Sequence, residues 1–182
     1  MARVEPTILP GCYVIHPQLH LDGRGAFLES YNQRDFEALT GLSPNFIQDN
    51  ISISKQHVLR GLHYQKGKAA QAKWVRVLKG RVWDVVVDLR PDSPTFGKHF
   101  ALELSDQNHL AVYIPKGMAH GFLSLEENTL FAYKCDAYYD PKAEAGIRFN
   151  DAHLGIDWRV PHSQVLLSEK DKELPAFKDV FS

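Results

Sequence analysis

Residues 48–65 read Gln-Asp-Asn-Ile-Ser-Ile-Ser-Lys-Gln-His-Val-Leu-Arg-Gly-Leu-His-Tyr-Gln. Gln48, Asn50, Ser52 and Ser54 alternate with Ile51 and Ile53. That is the period of a β-strand with one polar and one apolar face. The stretch then closes with Arg60, Gly61 and His63 inside four residues. A polar strand face is ordinarily solvated, but a His and an Arg joined to it are costly to bury without a purpose.

Period two continues along the chain. Residues 74–78, a turn at Lys79-Gly80 and residues 81–89 predict a β-hairpin. In its second arm Trp83, Val85, Val87 and Leu89 share one face, and Asp84 and Asp88 lie on the other with Val82 and Val86. Further strands are expected at 25–31, 48–54, 61–65, 99–104, 110–114, 121–125 and 129–135, separated by Pro-, Gly-, Asn- and Asp-rich turns. Helical signals are few. Asn32 is placed to cap a short helix holding Phe36 and Leu39, with Gly41 just past its end, and Ser168–Asp171 opens a last turn. Many short strands at this spacing indicate a sandwich or a barrel. Gly61-x-His63 and Pro115-x-Gly117-x-x-His120 resemble the two halves of the cupin motif. The fold expected is therefore mostly β, a cupin-type jelly-roll (double-stranded β-helix) barrel with a few short helices. One domain is expected over residues 1–182.

Composition narrows the function. The chain is 182 residues long and 44% hydrophobic, enough for a real core. Lys and Arg number 21 against 22 Asp and Glu. That balance gives no electrostatic reason to bind nucleic acid or an anionic membrane, though a local cluster still suits a small anion. No apolar run approaches a membrane span; even 82–89 is broken by Asp84 and Asp88. Cys12 and Cys135 do not make a disulfide framework, and Glu5 and Pro6 interrupt any secretory signal, so a reducing cytoplasm is expected. Metal-binding cupins use several His and a Glu, but Tyr64 and Gln65 follow His63 where a second ligand belongs. His63 and His120 alone are a poor set for a transition metal, so no metal is expected.

The motifs run in order from Asp22 to Asp171. They include Asp22-x-Arg24-Gly25-x-Phe27-x-Glu29, Gln48-Asp49-Asn50, Arg60-Gly61-Leu62-His63-Tyr64-Gln65, Lys73-x-Val75-Arg76, and Ala119-His120-Gly121-Phe122. They end with Tyr133-Lys134-Cys135, Tyr138-Tyr139, and Leu167-Ser168-x-Lys170-Asp171. This series resembles the dTDP-4-dehydrorhamnose 3,5-epimerase family over nearly the whole chain. The resemblance implies a metal-free, cofactor-free isomerase acting on a dTDP-sugar, beside the ketone of a 4-keto-6-deoxyhexose. It also implies a homodimer with an exchanged N-terminal segment, for which Ile8, Val14 and Ile15 are candidate exposed apolar residues.

Such chemistry needs a base, a group for the enolate oxygen and an acid across the ring. By the same resemblance His63 is the base, Asp171 its orienting carboxylate, Lys73 the enolate cation and Tyr133 the acid. His120 and Asp84 lie near the sugar. Arg24, Phe27, Glu29, Gln48, Asp49, Asn50, Arg60, Glu144 and Lys170 hold the substrate, and Tyr139 stacks on the base.

Blander readings stand beside these. His63 is also a plausible core histidine, and Ser168-x-x-Asp171 is close to a capping box that serves a helix end alone. Arg60 and Lys73 also suit solvated strand ends, and Tyr133 an ordinary sheet aromatic. The competing functions are an epimerase of one ring carbon, a silent sugar-nucleotide-binding cupin and a metal-dependent cupin.

Overall fold

The alternation over residues 48–54 does form a strand, but its polar face turns inward. The computed structural model describes residues 3–181. In chain order it runs β1 (Arg3–Pro6), β2 (Tyr13–His16), β3 (His20–Asp22), β4 (Gly25–Phe27), helix α1 (Gln33–Thr40), β5 (Gln48–Ser54) and β6 (Leu59–Gln65). It continues with β7 (Lys73–Lys79), β8 (Arg81–Asp88), β9 (His99–Ser105), β10 (Ala111–Ile114), β11 (Met118–Ser124), β12 (Thr129–Cys135) and β13 (Glu144–Gly146). Two short helices close it, α2 (Glu169–Lys172) and α3 (Phe177–Val180). One sheet has the order β1-β2-β10-β7-β12-β5 and the other β13-β6-β11-β8-β9. Strands β3 and β4 pair with each other as a separate two-stranded arm. Among the described residues no helix is long and apolar enough to cross a membrane.

Residues 74–89 do not form the expected hairpin. β7 pairs with β10 and β12, whereas β8 pairs with β11 and β9 in the other sheet. Gly80 is a corner between sheets. Its N–H donates to Asp106 Oδ2 at 2.8 Å. A Cβ at Gly80 would lie 2.7 Å from Thr129 Oγ1. The cause is the core: Val75 and Val77 of β7 meet Val82 and Val86 of β8 across the inter-sheet space, with Phe122 and Phe131 stacked at 4.1 Å among them. Strands that face each other through their side chains cannot also be hydrogen-bonded neighbours.

The opposite face of β8 is covered as well. Val85, Val87 and Leu89 pack under Ile147, Phe149, Leu154, Trp158 and Phe177 of the C-terminal segment. Helix α1 has the expected ends, with Asn32 Oδ1 accepting from the Asp35 N–H and Gly41 left-handed at φ 72. It packs Phe36 against Trp74 and Tyr113. Of the three N-terminal apolar residues, Ile8 is exposed, but Val14 and Ile15 are buried because β2 pairs with β10.

β6 and β11 approach closely at Gly61 and Gly121. Their register runs His120↔His63 and then Phe122↔Arg60, so β6 carries one extra residue, a β-bulge at Gly61-Leu62. Gly61 has φ 132, and a Cβ there would lie 2.5 Å from Gly121 Cα and 2.9 Å from His120 O. Gly61→Ala is therefore expected to cost about 3 kcal/mol or more in denaturant unfolding, from strain and clash together. Gly23 has open space around its Cα and serves as the control: Gly23→Ala is expected to change stability by about 0.5 kcal/mol or less. Equal stability of the two variants would refute the contact.

Candidate active site

Two adjoining cavities of about 430 and 390 Å³ share His63, Lys73 and Tyr133 in their walls. The larger adds Arg60, His120, Lys170 and Asp171, with an apolar wall that includes Phe122, Phe131 and Leu166. The smaller adds Gln48, Asn50, Tyr139 and Glu144. The bulge at Gly61 explains how Arg60 and His63 come to line one cavity. Three residues apart on a regular strand, they would face opposite ways; the extra residue restores the face.

His63 is held by a carboxylate. Its Nε2 lies 2.5 Å from Asp171 Oδ1, and Asp171 is almost wholly buried. With Nε2–H donating to that carboxylate, Nδ1 is the nitrogen left to take a proton. The capping reading of Asp171 holds at the same time, through different atoms. Its backbone N–H donates to Ser168 Oγ at 3.1 Å while its side chain turns to His63. A second pair lies behind the first: His120 Nε2 is 2.8 Å from the fully buried Asp84 Oδ2, and Asp84 Oδ1 is sealed and unpaired. Among the described residues no group of three or more His, Cys, Asp or Glu is arranged to hold a metal ion.

Lys73 and Tyr133 enter from the other sheet, on β7 and β12. Burial pushes the Lys73 ammonium below the ordinary lysine value, and Cys135, Asp84 and Glu144 pull it part of the way back. Burial raises the Tyr133 phenol, and Cys135 and Glu144 add to this against Arg60, so its proton is held firmly. Cys135 beside them is pushed up to about 11 by burial and is a thiol.

In the smaller cavity the groups expected to hold a nucleotide hold one another. Glu144 Oε2 accepts from Tyr139 Oη at 2.5 Å and from Lys170 Nζ. Burial alone would raise the Glu144 carboxyl, but these two donors outweigh it and keep it below its usual value. Arg60 is anchored along β5, with Nε donating to Ser54 Oγ at 3.2 Å and Nη2 to the Ile53 carbonyl at 3.3 Å.

Four expected substrate residues lie elsewhere. Asp49 falls between Gln48 and Asn50, so it faces out and pairs with Lys134 at 2.8 Å. Arg24 and Phe27 sit on the β3–β4 arm, where the Arg24 side chain is 91% exposed and paired with Asp22. Glu29 accepts from Asn32 Nδ2 at 3.2 Å beside α1. Conversely, Gln65 and Gln71 line the smaller cavity without having been singled out. Period two was the available signal for Gln65, two residues from His63 on β6, whereas Gln71 precedes β7 and has no strand period to place it.

Known proteins resemble this chain over nearly its whole length. The family model described as dTDP-4-dehydrorhamnose 3,5-epimerase matches residues 6–179. A dTDP-4-dehydrorhamnose 3,5-epimerase of Salmonella typhimurium is 47% identical over 176 residues, 96% of this chain and 95% of that protein. The crystal structure of such an epimerase from Elizabethkingia anophelis superposes with a TM-score of 0.95 at 54% identity, over 98% of this chain and 97% of that one. A Legionella pneumophila enzyme crystallised with dTDP-4-keto-L-rhamnose superposes with a TM-score of 0.93 at 43% identity, over 98% and 94% of the two chains.

The two uses of Asp171 separate by mutation. Asp171→Asn keeps the backbone cap and is expected to lower turnover about a hundredfold or more by disturbing the imidazole. Ser168→Ala is expected to cost about 1 kcal/mol of stability and to leave turnover within a few-fold. Steady-state rates and thermal melts of both variants check this. Asp171→Asn with near-normal turnover would reduce the carboxylate to a structural role.

Proposed function

The chain belongs to the dTDP-4-dehydrorhamnose 3,5-epimerase family, and from that membership we propose how its residues perform the reaction. The enzyme is an isomerase that converts dTDP-4-keto-6-deoxy-D-glucose to dTDP-4-keto-L-rhamnose, inverting C3 and C5, in the synthesis of L-rhamnose. Both carbons flank the C4 ketone, so loss of either proton gives an enolate whose charge sits on O4. His63 takes the proton at Nδ1, with Asp171 stabilising the imidazolium. Lys73 faces the developing charge on O4, in a site where burial strengthens the attraction. Tyr133 returns a proton to the opposite face of the ring. Each carbon loses one C–H bond and gains one, and exchange with solvent resets His63 and Tyr133 between the two inversions.

One observation carries this reading: His63 stands on one sheet, and Tyr133 with Lys73 on the facing sheet. A sugar ring between them meets a base on one side and an acid on the other. Tyr133→Phe keeps the packing and removes the donor. Exchange of the substrate protons with heavy water is expected to continue in this variant while inverted product falls far more steeply. Equal loss of both would assign Tyr133 to enolate formation instead. Proton NMR of the incubation reads both quantities.

The working unit is a homodimer joined through the N-terminal part. Three features support it. Among the described residues the β3–β4 arm pairs with no other strand, and it exposes Phe27 at 66%. β5 turns Ile51 and Ile53 outward at 65% and 64% exposure, with Leu78 nearby. On the same outer face Arg76 Nε is buried without a partner among the described residues. A second copy covers these groups and brings Arg24, Phe27 and Glu29 of one arm to the nucleotide of its partner. The enzyme works in the cytoplasm, a reading that rests on the free cysteines Cys12 and Cys135. Light scattering is expected to give twice the chain mass. Mixing and refolding inactive His63→Ala with inactive Arg24→Ala is expected to restore part of the activity, because one site of the mixed dimer is intact. A monomer, or a mixture that stays inactive, would contradict the shared site.

A further inference from the structure

The carboxylate that meets His63 comes from a stretch of chain that belongs to neither sheet. Between Trp158 and Asp171 no residue is fully buried; over residues 161–170 only Val165 and Leu167 are half-buried and the rest are exposed. Side-chain packing alone therefore does not fix where Asp171 stands. Main-chain bonds do. Leu166 pairs with Val58 as an isolated parallel bridge. The Leu166 N–H donates to the His57 carbonyl at 2.8 Å, and the Leu59 N–H donates to the Leu166 carbonyl at 2.9 Å. Beyond Asp171, the Arg148 N–H donates to the Pro175 carbonyl at 2.9 Å. The turn that bears the carboxylate is thus tied down on both sides. The tie ahead of it is made to the start of β6, the strand that bears the imidazole.

His57 is the corner of that tie. Its N–H donates to the Ser124 carbonyl of β11 at 2.8 Å while its own carbonyl accepts from Leu166. In an extended residue the N–H and C=O point to the same side and serve one neighbouring strand. His57 is left-handed instead, with φ 64, and serves two. Glycine adopts this backbone freely, histidine and asparagine tolerate it, and a β-branched residue does not. Among the described residues the His57 imidazole makes no hydrogen bond or ion pair, so the backbone is the part of His57 that the structure uses.

We propose that His57 is a positioning residue for the epimerisation: its left-handed backbone holds residues 165–167 on the start of β6 and so sets the Asp171 carboxylate against His63. The role rests on the reaction proposed for His63 and Asp171. A residue that cannot hold the left-handed turn relieves its strain most easily by giving up the bridge, because Leu166 is exposed and little else restrains it. Residues 165–167 then drift, and Asp171 with them. Loss of alignment between a base and the group that orients it slows the reaction without weakening the hold on the nucleotide.

The test is steady-state kinetics of the full-length protein below the melting temperature of each variant, with dTDP binding measured alongside. His57→Val is expected to lower kcat about 10- to 100-fold, with KM and dTDP affinity within a few-fold of wild type. His57→Gly and His57→Asn keep access to the left-handed backbone and are expected to hold kcat within a few-fold of wild type. Gly41→Val puts the same strain at the end of α1, where φ is 72 and no atom crowds a Cβ. It is expected to lower the melting temperature comparably and to leave kcat unchanged. Should valine at position 57 prevent folding, His57→Ala makes the same comparison at a smaller backbone cost. Because His57 acts through Asp171, the double variant His57→Val with Asp171→Asn is expected to be no slower than Asp171→Asn alone. Near-normal kcat in His57→Val, or a double variant whose losses multiply, would overturn the role of His57. So would a His57→Gly variant as slow as His57→Val, which would move the role to the imidazole. Near-normal turnover in Asp171→Asn would instead overturn the reading of the His63–Asp171 pair, and the role of His57 with it.

Discussion

The bulge at Gly61, packed backbone to backbone on Gly121, is the constraint on which the site depends. A regular strand would send Arg60 and His63 to opposite faces. With one extra residue both line the larger cavity, while Leu62 between them enters the core under the C-terminal segment. The same approach sets His63 directly across from His120 in the β6–β11 register. The glycines are required because the left-handed φ of Gly61 and its contact with Gly121 leave no room for a Cβ. A site with several ionisable side chains in a narrow barrel thus begins with two residues that have no side chain.

The chemistry then follows from where each sheet puts its polar groups. One sheet supplies two imidazoles, each held by a buried carboxylate; the facing sheet supplies a half-buried lysine and a half-buried tyrosine. Burial acts in opposite senses on the last two. It makes Lys73 readier to lose its proton and Tyr133 more reluctant, and the proposed mechanism uses the cationic form of the first and the protonated form of the second. The C-terminal turn ties the two cavities together, because Lys170 and Asp171 are consecutive residues. One reaches Glu144 in the smaller cavity and the other reaches His63.

Much of this was legible in the sequence where local signals and tertiary demands agree. Strands 48–54 and 129–135 have the expected bounds, and α1 has the expected caps. Asp84 shares the inner face of β8 with Val82 and Val86, as alternation implied. The hairpin at Gly80 was misread because a turn between two apolar strands looks the same whether they pair or face each other across a core. The inward turn of the polar face of β5 was legible only as an anomaly, an Arg and a His attached to a row of amides and hydroxyls. Gln71 was missed because its partner, the Ala137 carbonyl, is 66 residues away and leaves no local trace. The turn at Ser168 was legible as a cap, whereas the reach of the Asp171 side chain to His63 was expected only from the family resemblance, because a cap says nothing about where the side chain points.

The central claim is that His63 removes protons from both carbons beside the ketone. Proton NMR of dTDP-4-keto-6-deoxyglucose in heavy water measures this directly. Wild-type enzyme is expected to wash deuterium into both C3 and C5, and His63→Ala to slow both exchanges by about a hundredfold or more while still binding dTDP. A His63→Ala variant that keeps more than about a tenth of the wild-type exchange at either carbon would contradict the account, because another base would then serve that carbon.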